Sequence, residues 1–297
     1  MVTFWFDVIR RSFVTAVWAS LAGVFLVAHD ASAMKVDEYI AAHGNKNIKV
    51  TDKSFVFGDL SVENYDIPDS PMESSSKYFY KGKLILTDEF GAPVYDLIEI
   101  ADDYPMPGMK TIVIAAHSGF TAHGWSYHIF VMSSNALYYT GIETDLSGPD
   151  TTIVGNGLLD ITHHSGNSPS AQNGDMIVSF YTATHPRYTR YVLFENGKWR
   201  TGRYGELKES YDSRFREASA RNIDINMAED GAQDQIASNV AEETYYCIMS
   251  GRGDGECKKY MNNRLPKKLR WVTNSLYVMV KEDVDTFNGD LETKIYK

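Results

Sequence analysis

From Lys35 onward the apolar positions fall into short runs separated by Gly, Pro, Asn, Asp and Ser, the punctuation of strands rather than of long helices. Residues 35–45 are an early exception, with Val36, Tyr39 and Ile40 on one face of a short helix. Residues 62–76, with Asp, Pro and the triplet Ser74-Ser75-Ser76, read as loop. Tyr80–Ile100 holds two β-rich runs around Phe90-Gly91-Ala92-Pro93 and reads as a hairpin. After a turn at Pro105, Pro107 and Gly108, the uninterrupted run Thr111–Ala116 predicts a buried strand ending on His117 and Ser118. Ile129–Met132 and Ala136–Tyr139 predict two more. Their aromatics Tyr138 and Tyr139, like Tyr78, Phe79 and Tyr80, read as alternating strand residues rather than as a binding platform.

Residues 141–173 are rich in Gly, Ser, Thr, Asn and Pro and read mostly as loop. Asn173-Gly174-Asp175 turns into a strand over Met176–Tyr181, and Asn196-Gly197 joins Arg190–Glu195 to Lys198–Arg200 as the sharpest hairpin signal in the chain. From Glu206 to Ala241 the composition turns helical, with Leu207, Tyr211, Phe215 and Ala218 at helical spacing and Gly231 dividing two helices. Thr244–Met249 reads as a strand containing Cys247, Ser250–Lys268 as a polar loop, Trp271–Val280 as the last strand, and the end as a polar tail. The pattern predicts a mainly β fold, a barrel or closed sheet with helices inserted, and shows no internal repeat.

The N-terminus reads as an address. Arg10 and Arg11 precede an uncharged run from Ser12 to Ala28, and Ala31-Ser32-Ala33 follows as an A-x-A end. Residues 1–33 are expected to be a cleaved signal peptide or an N-terminal membrane anchor, and either places Met34–Lys297 beyond the cytoplasm. No later run is long and apolar enough to span a bilayer, so contact with the membrane is expected only through this segment. With 39 acidic against 29 basic side chains and a formal charge of -10, the chain lacks the cationic surplus that nucleic-acid binding requires. Two cysteines are too few for a disulfide scaffold or a four-cysteine zinc site.

A catalytic thiol needs a proton carrier and an oxyanion donor, and the chain offers Cys247, His117 and Arg270, with Arg264 and Arg252 as rivals for the arginine. The order, His before Cys, is not that of papain-like enzymes, and no G-x-S-x-G elbow suggests a serine hydrolase. His123, His128, His163 and His164 have no companion at ligand spacing, and Asp145, Asp150 and Asp160 lack a calcium-loop period, so no metal or other cofactor is expected. Arg252-Gly253-Asp254 matches a cell-adhesion tripeptide but is better explained as a turn.

Four segments carry a resemblance to a known family. Pro107–Ser118 resembles the sortase strand that ends in the catalytic histidine. Asn173–Val178, followed by Tyr188-Thr189-Arg190-Tyr191-Val192, resembles the sortase Gly-Asp and Tyr-x-Val hairpin. Thr244-Tyr245-Tyr246-Cys247 resembles the strand that delivers the nucleophile, and Arg270-Trp271-Val272 the strand with the catalytic arginine. The chain departs from the family pattern in Ala116 before His117 and in Tyr246 before Cys247.

The resemblance implies an eight-stranded sortase-like β-barrel of the class B type. Residues 34–106 would supply a helix and the first strands, 107–285 the catalytic region with a helical insertion at 206–241, and 286–297 a polar tail. It implies cysteine transpeptidation: Cys247 attacks a peptide or protein substrate at a sorting motif, His117 moves the proton, Arg270 donates to the oxyanion or positions the peptide, and an amine acceptor resolves the thioester. The competing expectation is a non-catalytic envelope β-barrel module that binds a peptide or glycan, its cysteines joined as a Cys247–Cys257 disulfide. In the first case Cys257 is a second surface thiol or a redox partner of Cys247.

Overall fold

A computed structural model describes residues 33–66, 74–89, 91–117, 125–144, 151–154, 158–165, 171–173, 176–180, 184–221 and 232–297. Met34–Lys35 (β1) leads into the helix Val36–His43 (α1). Ile48–Thr51 (β2), Ser54–Phe57 (β3), Leu60–Asp66 (β4), Ser74–Tyr80 (β5) and Lys83–Asp88 (β6) make a five-stranded antiparallel sheet in chain order. Ala92–Pro93 (β7), Glu99–Asp102 (β8), Lys110–His117 (β9), Trp125–Met132 (β10) and Leu137–Thr144 (β11) come next. Thr151–Val154 (β12), Leu158–His164 (β13), Ala171–Asn173 (β14), Met176–Val178 (β15), Arg187–Glu195 (β16) and Lys198–Thr201 (β17) complete the run of strands. The helices Lys208–Ser219 (α2), Ala232–Met249 (α3), Asp254–Arg264 (α4) and Thr273–Thr286 (α5) follow, and Lys294–Tyr296 (β18) ends the chain.

The central sheet has seven strands in the order β1-β8-β9-β10-β11-β18, with β7 also beside β9. Its inner strands β9 and β10 are buried on both faces, which is why Thr111–Ala116 shows no polar alternation. Ile112, Ile114 and Phe130 pack with Phe55, Phe57, Leu60, Val62, Tyr78 and Tyr80 of the five-stranded sheet, and Val36 and Tyr39 of α1 join them. Val113, Ala115, Tyr127, Ile129 and Val131 face the other way, onto Ile153, Leu159, Ile161, Val192 and Trp199 of a four-stranded sheet β12-β13-β16-β17. A third apolar cluster holds α2 to α5 together with Val178, Phe180, Tyr188 and Tyr191. Strand outweighs helix among the described residues, so the fold is mainly β. No sheet closes on itself among those residues, so the closed sheet expected from the sequence is not what they form.

Several local expectations hold. Val36 and Tyr39 are the buried residues of α1. Asn196 and Gly197 adopt φ of 53° and 79°, the left-handed pair that a two-residue hairpin needs, and join β16 to β17. The hairpin expected around Phe90–Pro93 does not form: β6 pairs with β5 across Lys81-Gly82, while β8 pairs with β9. Lys81 and Gly82 also have positive φ, 51° and 72°, and make the turn that joins β5 to β6. Residues 62–76 are not simply loop, because β4 runs to Asp66 and β5 starts at Ser74. Ser76 is fully buried there and satisfies its hydroxyl by donating to the Gly91 carbonyl at 2.7 Å. Within 141–173, β12 and β13 form because Ile153, Leu159 and Ile161 fill the core behind a Thr- and Gly-rich composition.

The largest corrections fall at the C-terminal end. Thr244–Met249 is the last part of α3, not a strand. Its β-branched and aromatic residues are accommodated because the helix is buried nearly all round, and Thr244 Oγ1 donates back to the Val240 carbonyl at 2.7 Å. Residues 254–264 within the expected polar loop are helical, with Asp254 and Glu256 in the first turn and Arg264 in the last, the order that suits the helix dipole. Trp271–Val280 is the end of a 3-10 segment, Lys267–Val272, and most of α5, where Leu276, Val280 and Val284 repeat at helical spacing on the buried side. The polar tail is partly a strand: β18 pairs with β11, and the Tyr296 hydroxyl donates to the Ile85 carbonyl at 3.1 Å.

Candidate functional site

Cys247 lies on α3 at 1% exposure and Cys257 on α4 at 0%. They form a disulfide with an S–S distance of 2.05 Å and a Cα–Cα distance of 5.7 Å. Met261, Leu265, Leu269 and Leu276 belong to the same apolar cluster as both sulfurs. Among the described residues no cysteine is free.

His117 is the last residue of β9, half-buried, opposite Trp125 in the register and with its ring 4.6 Å from the indole, centroid to centroid. No residue of β9 belongs to the apolar cluster that encloses Cys247. Ser118, Gly119, Gly174, Asp175 and Gly231 lie outside the described residues, as do His123, Asp145 and Asp150. Of His163 and His164 only the backbone, in β13, is described.

The three candidate arginines all lie in the helical part of the chain. Arg270 is exposed in the 3-10 segment, and its Nε donates to the Leu265 carbonyl at 3.4 Å. Arg264 pairs with the buried Glu243 at 2.9 Å and donates to the carbonyls of Ser219 and Arg221, both at 3.0 Å. Donation to the Glu243 carboxylate raises the guanidinium pKa further, so this arginine is a fixed clasp on the end of α2. Arg252 pairs with Asp212 at 2.9 Å and lies 4.3 Å over the Phe215 ring. Its tripeptide is therefore divided between that clasp and the first residue of α4, Asp254. Asp160 is ion-paired with Arg214 of α2. The folded chain thus brings Cys247 together with Cys257, and leaves His117 on the central sheet.

A different polar cluster joins the five-stranded sheet to the central one. His128 Nε2 is 3.0 Å from Asp88 Oδ2, and Nδ1 is 3.1 Å from the Tyr139 hydroxyl. Ser126 Oγ donates to the same Asp88 oxygen at 3.1 Å. The side chain of His128 is 5% exposed and that of Asp88 17%. Gly91 has to be glycine for this packing, since a Cβ there would stand 2.1 Å from Asp88 Oδ2. Ser126 is held by the carboxylate, and the imidazole nitrogen nearest to it is the one Asp88 already occupies. That is an inter-sheet tie, not the relay of a serine nucleophile, in which base and orienting acid sit on opposite ring nitrogens. In the sequence His128 stands out only as a stray histidine, because Asp88 lies on another sheet.

One further group stands apart. Arg190 of β16 is 6% exposed, its Nε has no acceptor among the described residues, and its guanidinium stacks 5.0 Å over the Phe287 ring. Burial lowers its pKa, with the phenols of Tyr245 and Tyr211 as its polar company. Among the described residues no three of His, Cys, Asp and Glu converge as a metal set. Compared with protein-family models, with curated proteins and with solved structures, the chain matches none.

Proposed function

We propose that this chain is an exported, non-catalytic binding module of the cell envelope, a β-rich body with a helical cap stapled by Cys247–Cys257. One observation carries the reading: the two cysteines of the chain are joined and buried, so no thiolate stands ready as a nucleophile. A lasting disulfide also suits an oxidising compartment, the destination expected from residues 1–33. The ligand class is a peptide or a glycan.

The competing proposal is the cysteine transpeptidase, with its eight-stranded sortase-like barrel, acting through Cys247, His117 and Arg270 on a sorting-motif peptide and an amine acceptor. It requires Cys247 to be reduced and brought beside the end of β9. Iodoacetamide decides between the two. The binding module takes up no label when folded and two equivalents after reduction in denaturant. Labelling of Cys247 in the folded, unreduced protein, with a pH profile set by histidine and peptide cleavage abolished by Cys247→Ala and His117→Ala, overturns it in favour of the enzyme.

A further inference from the structure

Between residues 254 and 270 the chain carries six cations against two carboxylates, although its overall charge is -10. Arg264 turns inward to Glu243, but Lys258, Lys259, Lys267, Lys268 and Arg270 are all exposed. None of these five forms an ion pair among the described residues. Elsewhere Arg200, Arg214, Arg221 and Arg252 are each matched to a carboxylate. Like charges gathered on one short stretch repel each other, a cost set against their few contacts within the fold, the Arg270 bond to the Leu265 carbonyl and Lys258 over the Tyr277 ring, and this points to a use outside the chain.

The stretch is also held rigidly. Cys257, next to Lys258, is bonded to α3. Thr273 Oγ1 donates to Asn262 Oδ1 at 3.3 Å and the Tyr277 hydroxyl donates to the Asp254 carbonyl at 3.1 Å, which ties α4 to α5, and Thr273 Oγ1 also donates to the Arg270 carbonyl at 2.8 Å, which ties the 3-10 segment to it. Lys258 Nζ lies 5.6 Å over the Tyr277 ring. A cationic surface on fixed backbone loses little entropy when an anion docks. Residues 254–272 include none of the large exposed apolar side chains, which gives a bilayer nothing to take up beyond charge.

We infer that α4 and the 3-10 segment form a docking surface for an anionic polysaccharide, one bearing carboxylate, sulfate or phosphate groups. The inference deepens the binding-module reading and rests on it. The full-length protein, or its mature form where the signal has been cleaved, is titrated with heparin as the probe. Neutral dextran, phosphatidylglycerol vesicles and single-stranded DNA are run alongside. Heparin binds, dextran does not, and affinity falls as salt rises from about 50 to about 200 mM. The combined variant Lys258→Glu, Lys259→Glu, Lys267→Glu, Lys268→Glu weakens heparin binding by about tenfold or more. The control Lys49→Glu, Lys83→Glu, on the five-stranded sheet, leaves binding unchanged. Should the charge reversals unfold the cap, the four glutamine substitutions serve instead, checked by thermal unfolding.

An equal loss in the control, no heparin binding at low salt, or tighter binding to vesicles or DNA overturns the inference. Heparin binding lost in the patch variant while Cys247 labels freely would leave the surface in place and defeat the disulfide-based reading. Protected cysteines with no heparin binding would do the reverse.

Discussion

The backbone N–H of Thr189 donates to the hydroxyl of Tyr246 at 3.0 Å, and two residues further on Tyr191 N–H donates to the Tyr211 hydroxyl at 3.1 Å. Both donors lie on β16 beyond the reach of its hairpin partner β17, whose pairing stops at Val192. The helices α3 and α2 thus finish a strand edge with phenol oxygens in place of another strand. Such an edge, left open, is a site for unwanted pairing. Burial pushes the Tyr246 pKa up, so the hydroxyl stays protonated, and it points a weaker contact of 3.4 Å at Glu242 Oε1.

Tyr246→Phe and Tyr211→Phe each leave a buried backbone donor without an acceptor. Each is expected to cost about 1–3 kcal/mol, measured as a shift of the urea midpoint at constant slope. Losses within the error of the wild type for both variants would mean that the edge is satisfied in another way.

The disulfide closes a short loop between α3 and α4, with a sequence separation of 10. Cys257→Ser is expected to destabilise the protein by about 2–3 kcal/mol, as the lost constraint on the unfolded chain predicts. Mild reductant should act slowly on the native protein, because both sulfurs are buried. A near-neutral Cys257→Ser would instead favour the reading in which Cys247 works alone.

Asp88→Ala removes the common partner of His128 and Ser126 at the junction of two sheets. The expected loss is about 1–3 kcal/mol, larger than that of Ser126→Ala, because a buried imidazole is left without its acceptor. Equal effects of the two substitutions would show that the histidine does not depend on Asp88.

Glu206 gives a sign to the acid limb. Bonds from Arg200 pull its carboxyl pKa down to about 2, below its unfolded value. Its stabilisation is therefore complete above the unfolded pKa and is lost as pH falls from about 4.5 towards about 2. The pair is partly open to solvent, so the contribution is about 1 kcal/mol after screening. Glu206→Gln should lower stability at neutral pH and flatten the dependence in that window. An unchanged acid limb in the variant would assign it to other carboxylates.

Arg190 points the other way. A buried guanidinium with no carboxylate partner among the described residues is a cost that the stack on Phe287 offsets only in part. Arg190→Met is expected to leave stability unchanged or raise it by up to about 2 kcal/mol, read from thermal unfolding. A loss of several kcal/mol would expose a partner that compensates the charge.

By itself the sequence determined the features that depend on near neighbours. The face of α1, the continuous burial of Thr111–Ala116 and the Asn196-Gly197 hairpin follow from periodicity and from backbone preferences a few residues wide. The helical nature of α5 was present too, in the spacing of Leu276, Val280 and Val284, but the β-branched and aromatic content of Trp271–Val280 outweighed it. What only the tertiary structure decided is where distant residues meet. Thr244–Met249 has strand-like residues, and it is helical because β16 and the other helices bury it on nearly every side, a free energy larger than any local preference. The same holds for the chemistry. Cys247 and His117 stand in a suggestive order along the chain, yet which group lies beside a sulfur is set by packing, and packing places Cys257 there.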